Sequence, residues 1–432
     1  LVFGRLQEQI GNANASSEGR VGGADLAVRP LLKVAELLEA VPGMVAAQHS
    51  GSGKANQYFM RGFNLDHGTD FTNYVDDVPF NLRSHGHGQG YLDVNGLIPE
   101  TVNQIDYRKG TYRADTGDFS MAGASLMSTI DYLDESFVAL ETGDYGWQRL
   151  AGGTTLDLAG GDLTVIAESK SYDGPWELGE DLDHKAIWGK YVKETSYGTM
   201  RASLSGYSAS WLPTEQIPES AIGTAICEDD FCALDTTARG ETDRWIGTIQ
   251  LEGDDWRGTF YAQTYDWQMS SDPTYAEQIN QFDKRTVIGG RLEKSYFIND
   301  DLNATIGSEF RYDDIDRVGV DFYDNGIFLA ENGNNAIVET SFGGYGELTY
   351  QATPELRVLA GIRADYYDFD VTALNGISEE GTATDSQFSP KIGLAYRFSN
   401  TIEGYANWGQ GFHSNDARGV VNDTDPVDGL VK

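Results

Sequence analysis

Apolar and polar residues alternate along most of the second part of the chain. In the stretch DLNATIGSEFRY, Leu302, Ala304 and Ile306 share one face. Asn303 and Thr305 share the other, and ELRVLAGIRADYY and KIGLAYRF repeat the pattern. A period of two is typical of β-strands whose two faces meet different surroundings. Alternation alone fits a water-soluble sandwich with paired apolar faces as well as a membrane barrel with apolar faces toward lipid.

The connections between these strands distinguish the two folds. We count roughly thirteen strands of the length expected for a membrane barrel. Short connections are predicted at 253–255, 299–300, 352–353 and 399, and long ones at 212–240, 269–283, 314–338 and 371–384. Up-and-down barrels place tight turns on one rim and long loops on the other, whereas Greek-key sandwiches do not keep this alternation. The pattern predicts an antiparallel, up-and-down membrane β-barrel.

Charge and hydropathy exclude two other classes of protein. The formal net charge is -36, which argues against nucleic-acid binding, because a phosphate backbone is bound by lysine and arginine. No segment approaches the roughly 18 to 20 consecutive apolar residues that a membrane helix needs. We therefore expect neither a nucleic-acid partner nor a helical membrane protein.

The chain before residue 135 has a mixed pattern. The run RPLLKVAELLEAVPGM has helical spacing and ends at Pro42-Gly43. Short strand-like pieces follow, among them YFMRGF and NYVDDVPF. We predict a lead segment at residues 1–28, a compact α+β domain at 29–134, and the barrel strands at 135–432.

Several motifs in this first part resemble the plug domain of TonB-dependent outer-membrane receptors. ELLEAVPGM at 36–44, NQYFMRGF at 56–63, VDDVPFN at 75–81 and QIDYRKGTYRADTG at 104–117 follow in the order that the family shows. YANWGQGFHSNDARG at 405–419 is similar to a strand and loop of the family's barrel. Asp77 stands where the family usually has glycine, and Thr111 where it has proline.

The resemblance implies an all-β barrel with the α+β plug in its lumen. Barrels of this class have about 22 strands, so we expect further strands beyond Lys432. No stretch near the start matches the TonB box of the family, and VFGRLQEQI is a poor candidate. The energy-coupling segment is therefore not identified.

By resemblance, the expected function is TonB-dependent active import of a scarce solute across the bacterial outer membrane. A ferric siderophore or another metal chelate is the first expectation for the substrate, and the TonB complex and outer-membrane lipid are the expected partners. A passive porin-like or carbohydrate-uptake barrel, and a surface adhesin or phage-docking protein, are the alternatives. The chain has neither a G-x-S-x-G elbow nor an H-E-x-x-H motif, so we expect no enzyme and no required cofactor.

Glycine-rich loops hold four of the six histidines of the chain. Loops of this composition are typical of binding sites. The predicted substrate-binding residues are His49, Asp66, His67, Arg83, His85, His87, Gln89 and Tyr91. Imidazole with nearby aspartate, such as Asp66, Asp70 or Asp93, suits a transition metal, and His85 and His87 are possible ligands. Contact with a metal chelate, or packing of plug against barrel, are the other interpretations.

Buried charges of a plug need partners on the polar inner wall of a barrel. We predict that Arg61, and Arg108 or Lys109, pair with inward glutamates. The glutamates that we expect to serve are Glu309, Glu347 and Glu403. A local hydrogen-bond network within the plug is the alternative for Arg61.

The two cysteines lie close together in the sequence CEDDFC. Cys227 and Cys232 fit one small disulfide loop in an oxidising compartment, with a pair of free thiols as the alternative. Four acidic residues surround them: Glu228, Asp229, Asp230 and Asp235. They are interpreted either as solvated loop charge or as oxygen ligands for calcium.

Overall fold

A small domain of short strands forms the first part of the computed structural model, which describes residues 10–273, 275 and 277–422. Its strands are β1 (Glu18–Gly22), β2 (Met44–Ala47), β3 (Gln57–Met60), β4 (Phe63–Asn64), β5 (Phe71–Val75), β6 (Val78–Pro79), β7 (Asn81–Leu82), β8 (Tyr91–Leu92), β9 (Val102–Arg108) and β10 (Gly123–Thr129). Helix α1 (Gly23–Leu26) and 3-10 helices at Val34–Ala40 and Pro99–Thr101 connect them. Apart from Ile10, the segment VFGRLQEQI lies outside the described residues.

The second part is one continuous antiparallel sheet in which each strand pairs with the next along the chain. Its strands are β11 (Phe137–Thr142), β12 (Gln148–Leu158), β13 (Gly161–Tyr172), β14 (Leu182–Thr195), β15 (Gly198–Trp211), β16 (Gly240–Glu252), β17 (Trp256–Ser271), β18 (Gln278–Asn299), β19 (Leu302–Asp324), β20 (Ile327–Gln351), β21 (Leu356–Ala373), β22 (Gly381–Ser399) and β23 (Ile402–Gly409). A 3-10 helix at Glu219–Ala221 lies in the connection between β15 and β16, and helix α2 (Ala417–Val421) follows β23. The thirteen-stranded up-and-down sheet confirms the predicted barrel wall.

The two faces of the wall have opposite polarity. Arg311 and Arg363 on the inner face are only 5% and 3% exposed. On the outer face, Ile306, Ile362 and Phe388 are 57%, 46% and 57% exposed. Apolar side chains outside and charged side chains inside are what a barrel in lipid requires. Among the described residues, none of the helices is long and apolar enough to cross a membrane.

The connections of the wall define a turn rim and a loop rim. The turn rim holds the short connections 159–160, 196–197, 253–255, 300–301, 352–355 and 400–401. The loop rim holds 143–147, 173–181, 212–239, 272–277, 325–326 and 374–380. Short connections were predicted close to where they occur, and the long loop after β15 is confirmed.

One predicted long loop, at 314–338, is wrong. Strands β19 and β20 continue through it and meet at a two-residue turn. Asn325 and Gly326 have φ angles of 48° and 76°, the pair of positive angles that a tight hairpin turn needs and that Asn-Gly readily adopts. The predicted loops at 269–283 and 371–384 are also shortened by the flanking strands, to 272–277 and 374–380.

The plug is organised around a five-stranded sheet with the order β1-β9-β10-β5-β6. Because β1 pairs with β9, this sheet includes residues from the lead segment that sequence analysis set apart. The predicted helix near residue 36 is a short 3-10 helix whose Val34, Leu37 and Leu38 are buried in the plug core. Asp77, at the position usually held by glycine in the family, has a φ of 66° and so adopts the conformation that favours glycine.

Candidate functional site

Three separate plug loops bring four histidines together near the loop rim. His49 follows β2, His67 precedes β5, and His85 and His87 lie between β7 and β8. The ring centroids of His49 and His67 are 5.0 Å apart, and those of His67 and His87 are 4.6 Å apart. His85 stacks on Tyr91 at 4.0 Å. The residues that sequence analysis grouped by composition therefore form one cluster of aromatic rings.

Hydrogen bonds to the backbone orient the central ring of this cluster. Nδ1 of His67 lies 2.9 Å from the carbonyl oxygen of Ala55 and 3.1 Å from that of Asn56. Because carbonyl oxygens only accept, Nδ1 carries the proton and Nε2 keeps its lone pair. That Nε2 atom lies 3.3 Å from Nε2 of His49. Nδ1 of His87 is directed at the side-chain oxygen of Gln281, at 2.9 Å.

The imidazoles of the cluster are uncharged at neutral pH. Burial, together with the positive charge of Lys54, lowers the pKa of His49 to about 4. The same two causes lower the pKa of His67 and of His87 to about 3. Burial also lowers the pKa of His85 well below its usual value. Neutral imidazole is the form that binds metal ions.

A cavity of ≈ 180 Å³ opens between this cluster and the long 212–239 loop. His49 lines it from the plug, and Trp176, Glu215, Asp235 and Tyr275 line it from the loop rim. Burial raises the pKa of Glu215 to about 7, and its Oε1 atom has no hydrogen-bond partner among the described residues. The cavity therefore combines aromatic surface, carboxylates and an imidazole. These are groups that suit a cationic solute or a metal complex.

Arg83 and Gln89, predicted to bind substrate, instead hold the plug to the wall and to the segment after β23. Nε of Arg83 donates to Asp118 at 2.9 Å, and its guanidinium lies over the ring of Tyr367, 4.9 Å from the centroid. The side-chain oxygen of Gln89 accepts from the backbone N–H of Asp416 at 3.0 Å. Neither residue lines the cavity described above.

Tyr91 and Asp66 support the histidine cluster from opposite directions. The Tyr91 hydroxyl accepts from the backbone N–H of Ala55 at 2.9 Å, in the same loop that orients His67. Asp66 is 57% exposed, and its Oδ1 atom lies 3.8 Å from Nε2 of His67. Tyr91 is thus a buried scaffold, whereas Asp66 adds a negative charge beside the imidazoles.

The suggested pair of metal ligands, His85 and His87, is not formed. Nδ1 of His85 accepts a hydrogen bond from the backbone N–H of His87, and the His85 ring lies against Tyr91 and Trp267. The other suggested aspartates are also engaged, since Asp70 contacts His413 and Asp93 contacts Tyr207. Across the part of the chain that the structure describes, no group of three or more His, Cys, Asp or Glu side chains is arranged to hold a metal ion.

The acidic residues around the disulfide shape the loop. Cys227 and Cys232 are bonded to each other. Oδ1 of Asp229 accepts from the backbone N–H of Phe231 at 2.9 Å, and Oδ1 of Asp235 from that of Thr237 at 2.7 Å. Carboxylates that cap turns in this way stabilise the loop themselves, so the calcium interpretation finds no support in their arrangement.

The predicted basic partners of the wall glutamates bind within the plug. Arg61 donates to the carbonyl oxygen of Lys109 at 3.2 Å, which fits the local network given as its alternative. Arg108 donates to Asp115 at 2.9 Å, and Nζ of Lys109 contacts the carbonyl oxygen of Pro42 at 3.3 Å. The predicted pairing was therefore wrong for all three basic residues, because closer oxygen atoms lie within the plug.

The three glutamates do face inward, but they have other partners. Glu347 accepts from Arg113, a plug residue that sequence analysis missed, with Nε at 2.9 Å. Glu309 pairs with Arg363 of the wall at 2.7 Å. Glu403 accepts from the backbone N–H of Gly11 at 2.9 Å. The alternation of the strands identified the inward positions, but it carries no signal for which plug residue faces each of them.

Glu215 and Lys54 are further site residues that sequence analysis missed. Glu215 lies in a long loop, and the only signal for it was the length of that loop. Lys54 belongs to the glycine-rich stretch QHSGSGKANQ, whose histidine was noted but whose lysine was not. Their role depends on burial, which composition does not show.

Comparison with known proteins gives a matching family model for each of the two parts of the chain. The family described as "TonB-dependent Receptor Plug Domain" matches residues 12–124, and "TonB dependent receptor-like, beta-barrel" matches residues 228–426. Among solved structures, the ferric citrate transporter FecA superposes with a TM-score of 0.77 at 13% sequence identity, covering 92% of this chain and 63% of FecA.

Two further structures show the same fold. The ferric yersiniabactin uptake receptor FyuA from Yersinia pestis gives a TM-score of 0.72 at 13% identity, with 91% of this chain and 64% of FyuA covered. The copper transporter OprC gives 0.69 at 14% identity, with 91% and 63% covered. The chain thus spans somewhat less than two thirds of the length of these structures.

Proposed function

This chain belongs to the TonB-dependent receptor family, and from that premise we propose that it imports a scarce metal chelate across the bacterial outer membrane. The loop rim faces the outside, where the solute is captured, and the TonB complex displaces part of the plug to let it pass. A ferric siderophore is the first candidate. The names of the similar structures, two for ferric ligands and one for copper, support a metal-containing cargo.

The observation that carries this proposal is the close contact between the plug and the inner wall. Arg244 of β16 donates to the carbonyl oxygen of Asp93 at 2.9 Å, and Arg311 of β19 to that of Asn81 at 2.8 Å. Arg113 of the plug reaches Glu347 of β20 at 2.9 Å. A passive pore does not need a plug that is bonded to its wall by buried charged side chains. Passage of a solute therefore requires energy to move the plug.

Capture is proposed to occur in the cavity beneath the 212–239 loop. Aromatic side chains of Trp176 and Tyr275 offer flat apolar surface, and Glu215 and Asp235 offer oxygen atoms. A site with a few directed polar groups among apolar walls is what a small ligand needs. We expect the plug histidines to form the floor against which the solute rests.

The test is uptake in cells. A strain that expresses the complete receptor is supplied with ⁵⁵Fe bound to a panel of siderophores, and accumulation is compared with that of an isogenic strain without TonB. We expect accumulation that disappears with TonB. Equal accumulation in both strains would identify a passive barrel and contradict the proposal.

A further inference from the structure

The spacing of two imidazole nitrogens in the histidine cluster matches a metal site better than a hydrogen bond. Nε2 of His49 and Nε2 of His67 are 3.3 Å apart. Two nitrogens bound to one tetrahedral ion, at metal–nitrogen distances of about 2.0–2.1 Å, stand about 3.3–3.4 Å apart. A good hydrogen bond from a ring N–H is shorter, at about 2.7–3.2 Å. The two Nε2 atoms are thus separated by the distance expected when both bind one ion.

The surrounding hydrogen bonds direct the correct atom of His67 toward this position. Its Nδ1 is bound to the carbonyl oxygens of Ala55 and Asn56, so the lone pair is on Nε2. Metal-binding histidines characteristically use the second ring nitrogen in this way, because the backbone contact fixes both tautomer and ring orientation. In His67 the two backbone contacts fix the ring with Nε2 directed toward His49.

The cavity gives an ion access to the pair, and two carboxylates lie nearby. His49 lines the cavity beneath the 212–239 loop, so an ion that enters from the loop rim meets it first. The carboxylate of Asp66 lies 3.8 Å from Nε2 of His67, and Glu215 adds a second carboxylate on the cavity side. Lys54, which is buried, opposes them with one positive charge. Asp66 and Glu215 thus supply carboxylate oxygens near the pair, and Lys54 offsets part of their charge.

We propose that His49 and His67 together bind a divalent transition-metal ion, such as Zn²⁺ or Cu²⁺, at the floor of this cavity. The proposal rests on the import function above and names a divalent ion, instead of the ferric siderophore given there as first candidate, as the part of the cargo that the plug recognises. Two protein ligands leave the other coordination positions for water or for a chelator. An open site of this kind suits an ion in transit, since a closed set of four protein ligands would retain it.

The test uses the complete receptor, purified in detergent and freed of metal with EDTA. Zn²⁺ is added in isothermal titration calorimetry and in native mass spectrometry, and Cu²⁺ is added for electron paramagnetic resonance. We expect one strongly bound ion per chain and nitrogen superhyperfine splitting from two imidazoles. His49→Gln is expected to weaken Zn²⁺ binding at least about tenfold, the lower end of the effects seen when a metal site loses a supporting group.

Two further variants separate loss of the site from loss of the fold. His67→Asn removes the second ligand and is checked for native heat-modifiable migration in gels. His413→Gln removes an imidazole that contacts Asp70 outside the cluster, and it should bind Zn²⁺ like the wild type. Absence of a bound ion in the wild type, a Cu²⁺ spectrum without two nitrogen ligands, or unchanged binding in His49→Gln would each overturn the proposal.

Uptake distinguishes this inference from the import function. TonB-dependent import of a ferric siderophore by a receptor that binds no Zn²⁺ would refute the metal site and leave import intact. Binding of Zn²⁺ by a receptor whose uptake does not depend on TonB would refute active import and leave the site. Loss of TonB-dependent ⁶⁵Zn²⁺ accumulation in His49→Gln, with normal amounts of receptor in the membrane, would support both.

Discussion

Replacing Glu347 with glutamine tests whether buried charge pairs hold the plug in the barrel. Nε of Arg113 lies 2.9 Å from Oε1 of Glu347, and Nη2 lies 2.7 Å from the same atom. Oε2 accepts from the backbone N–H of Ala114 at 3.0 Å. Glutamine keeps the shape but removes the charge and replaces one acceptor oxygen with an NH₂ donor. The change therefore measures the loss of the ionic contact together with one accepted hydrogen bond.

The expected effect is about 2 kcal/mol. Removing one partner of a fully buried ion pair costs about 3–5 kcal/mol. The Arg113 side chain is 24% exposed, and Oε2 of Glu18 lies 4.0 Å from it, so water and a second carboxylate offset part of the loss. A change of about 2 kcal/mol corresponds to a roughly 30-fold larger population in which this part of the plug has left the wall.

Native-state hydrogen exchange measures that population. A peptide covering residues 111–116 should exchange roughly 30-fold faster in Glu347→Gln than in the wild type, since local opening controls exchange there. Glu331→Gln is the matched control, because Glu331 lies on the same strand and is exposed. Replacing Arg113 by methionine and Glu347 by leucine together should restore part of the protection. Unchanged exchange in Glu347→Gln would refute the reasoning.

Three further outcomes follow from other contacts. Gly53→Ala should destabilise the plug by about 1–3 kcal/mol, because the new Cβ atom would stand 2.0 Å from Cε3 of Trp211; urea unfolding followed by tryptophan fluorescence measures it. Reduction of the disulfide should lower the free energy that stabilises the folded 212–239 loop by about 2 kcal/mol. Protease should then cleave this loop faster, while the migration of the folded barrel in gels stays the same. Asp70 raises the pKa of His413, so the ion pair is present at low pH and weakens as the pH rises through that raised pKa. Amide hydrogen exchange at residues 410–418 should therefore accelerate with pH in the wild type by more than the intrinsic rate does. In His413→Gln it should follow the intrinsic rate alone.

The wall of the barrel was predictable because its signal is local. Each strand alternates with a period of two, so the inward positions of Arg311 and Arg363 could be read from their neighbours in the sequence. The short turns were predictable for the same reason. The hairpin at Asn325 was missed, because polar residues continue past the bilayer along β19 and β20 and were interpreted as a loop.

The site was predictable only in composition. The glycine-rich histidine loops indicated where binding residues would concentrate, but they could not show that His49 meets His67, from which β3 and β4 separate it in the chain. The partner of Glu347 was missed for a related reason. Arg108 and Arg113 are equally plausible in sequence, and only the path of the chain after β9 turns Arg113 toward the wall.

The hairpin of β19 and β20 extends the barrel far beyond the membrane. A transmembrane strand needs about 9–11 residues, whereas these strands contain 23 and 25. At about 3.3 Å per residue, some 40 Å of paired strand stands outside the bilayer. With the loop rim facing outward, as proposed above, an antibody or a bacteriophage approaching the cell would touch the Asn325-Gly326 tip before it reached the lumen. A short epitope tag placed at that tip would therefore report the orientation of the receptor on living cells.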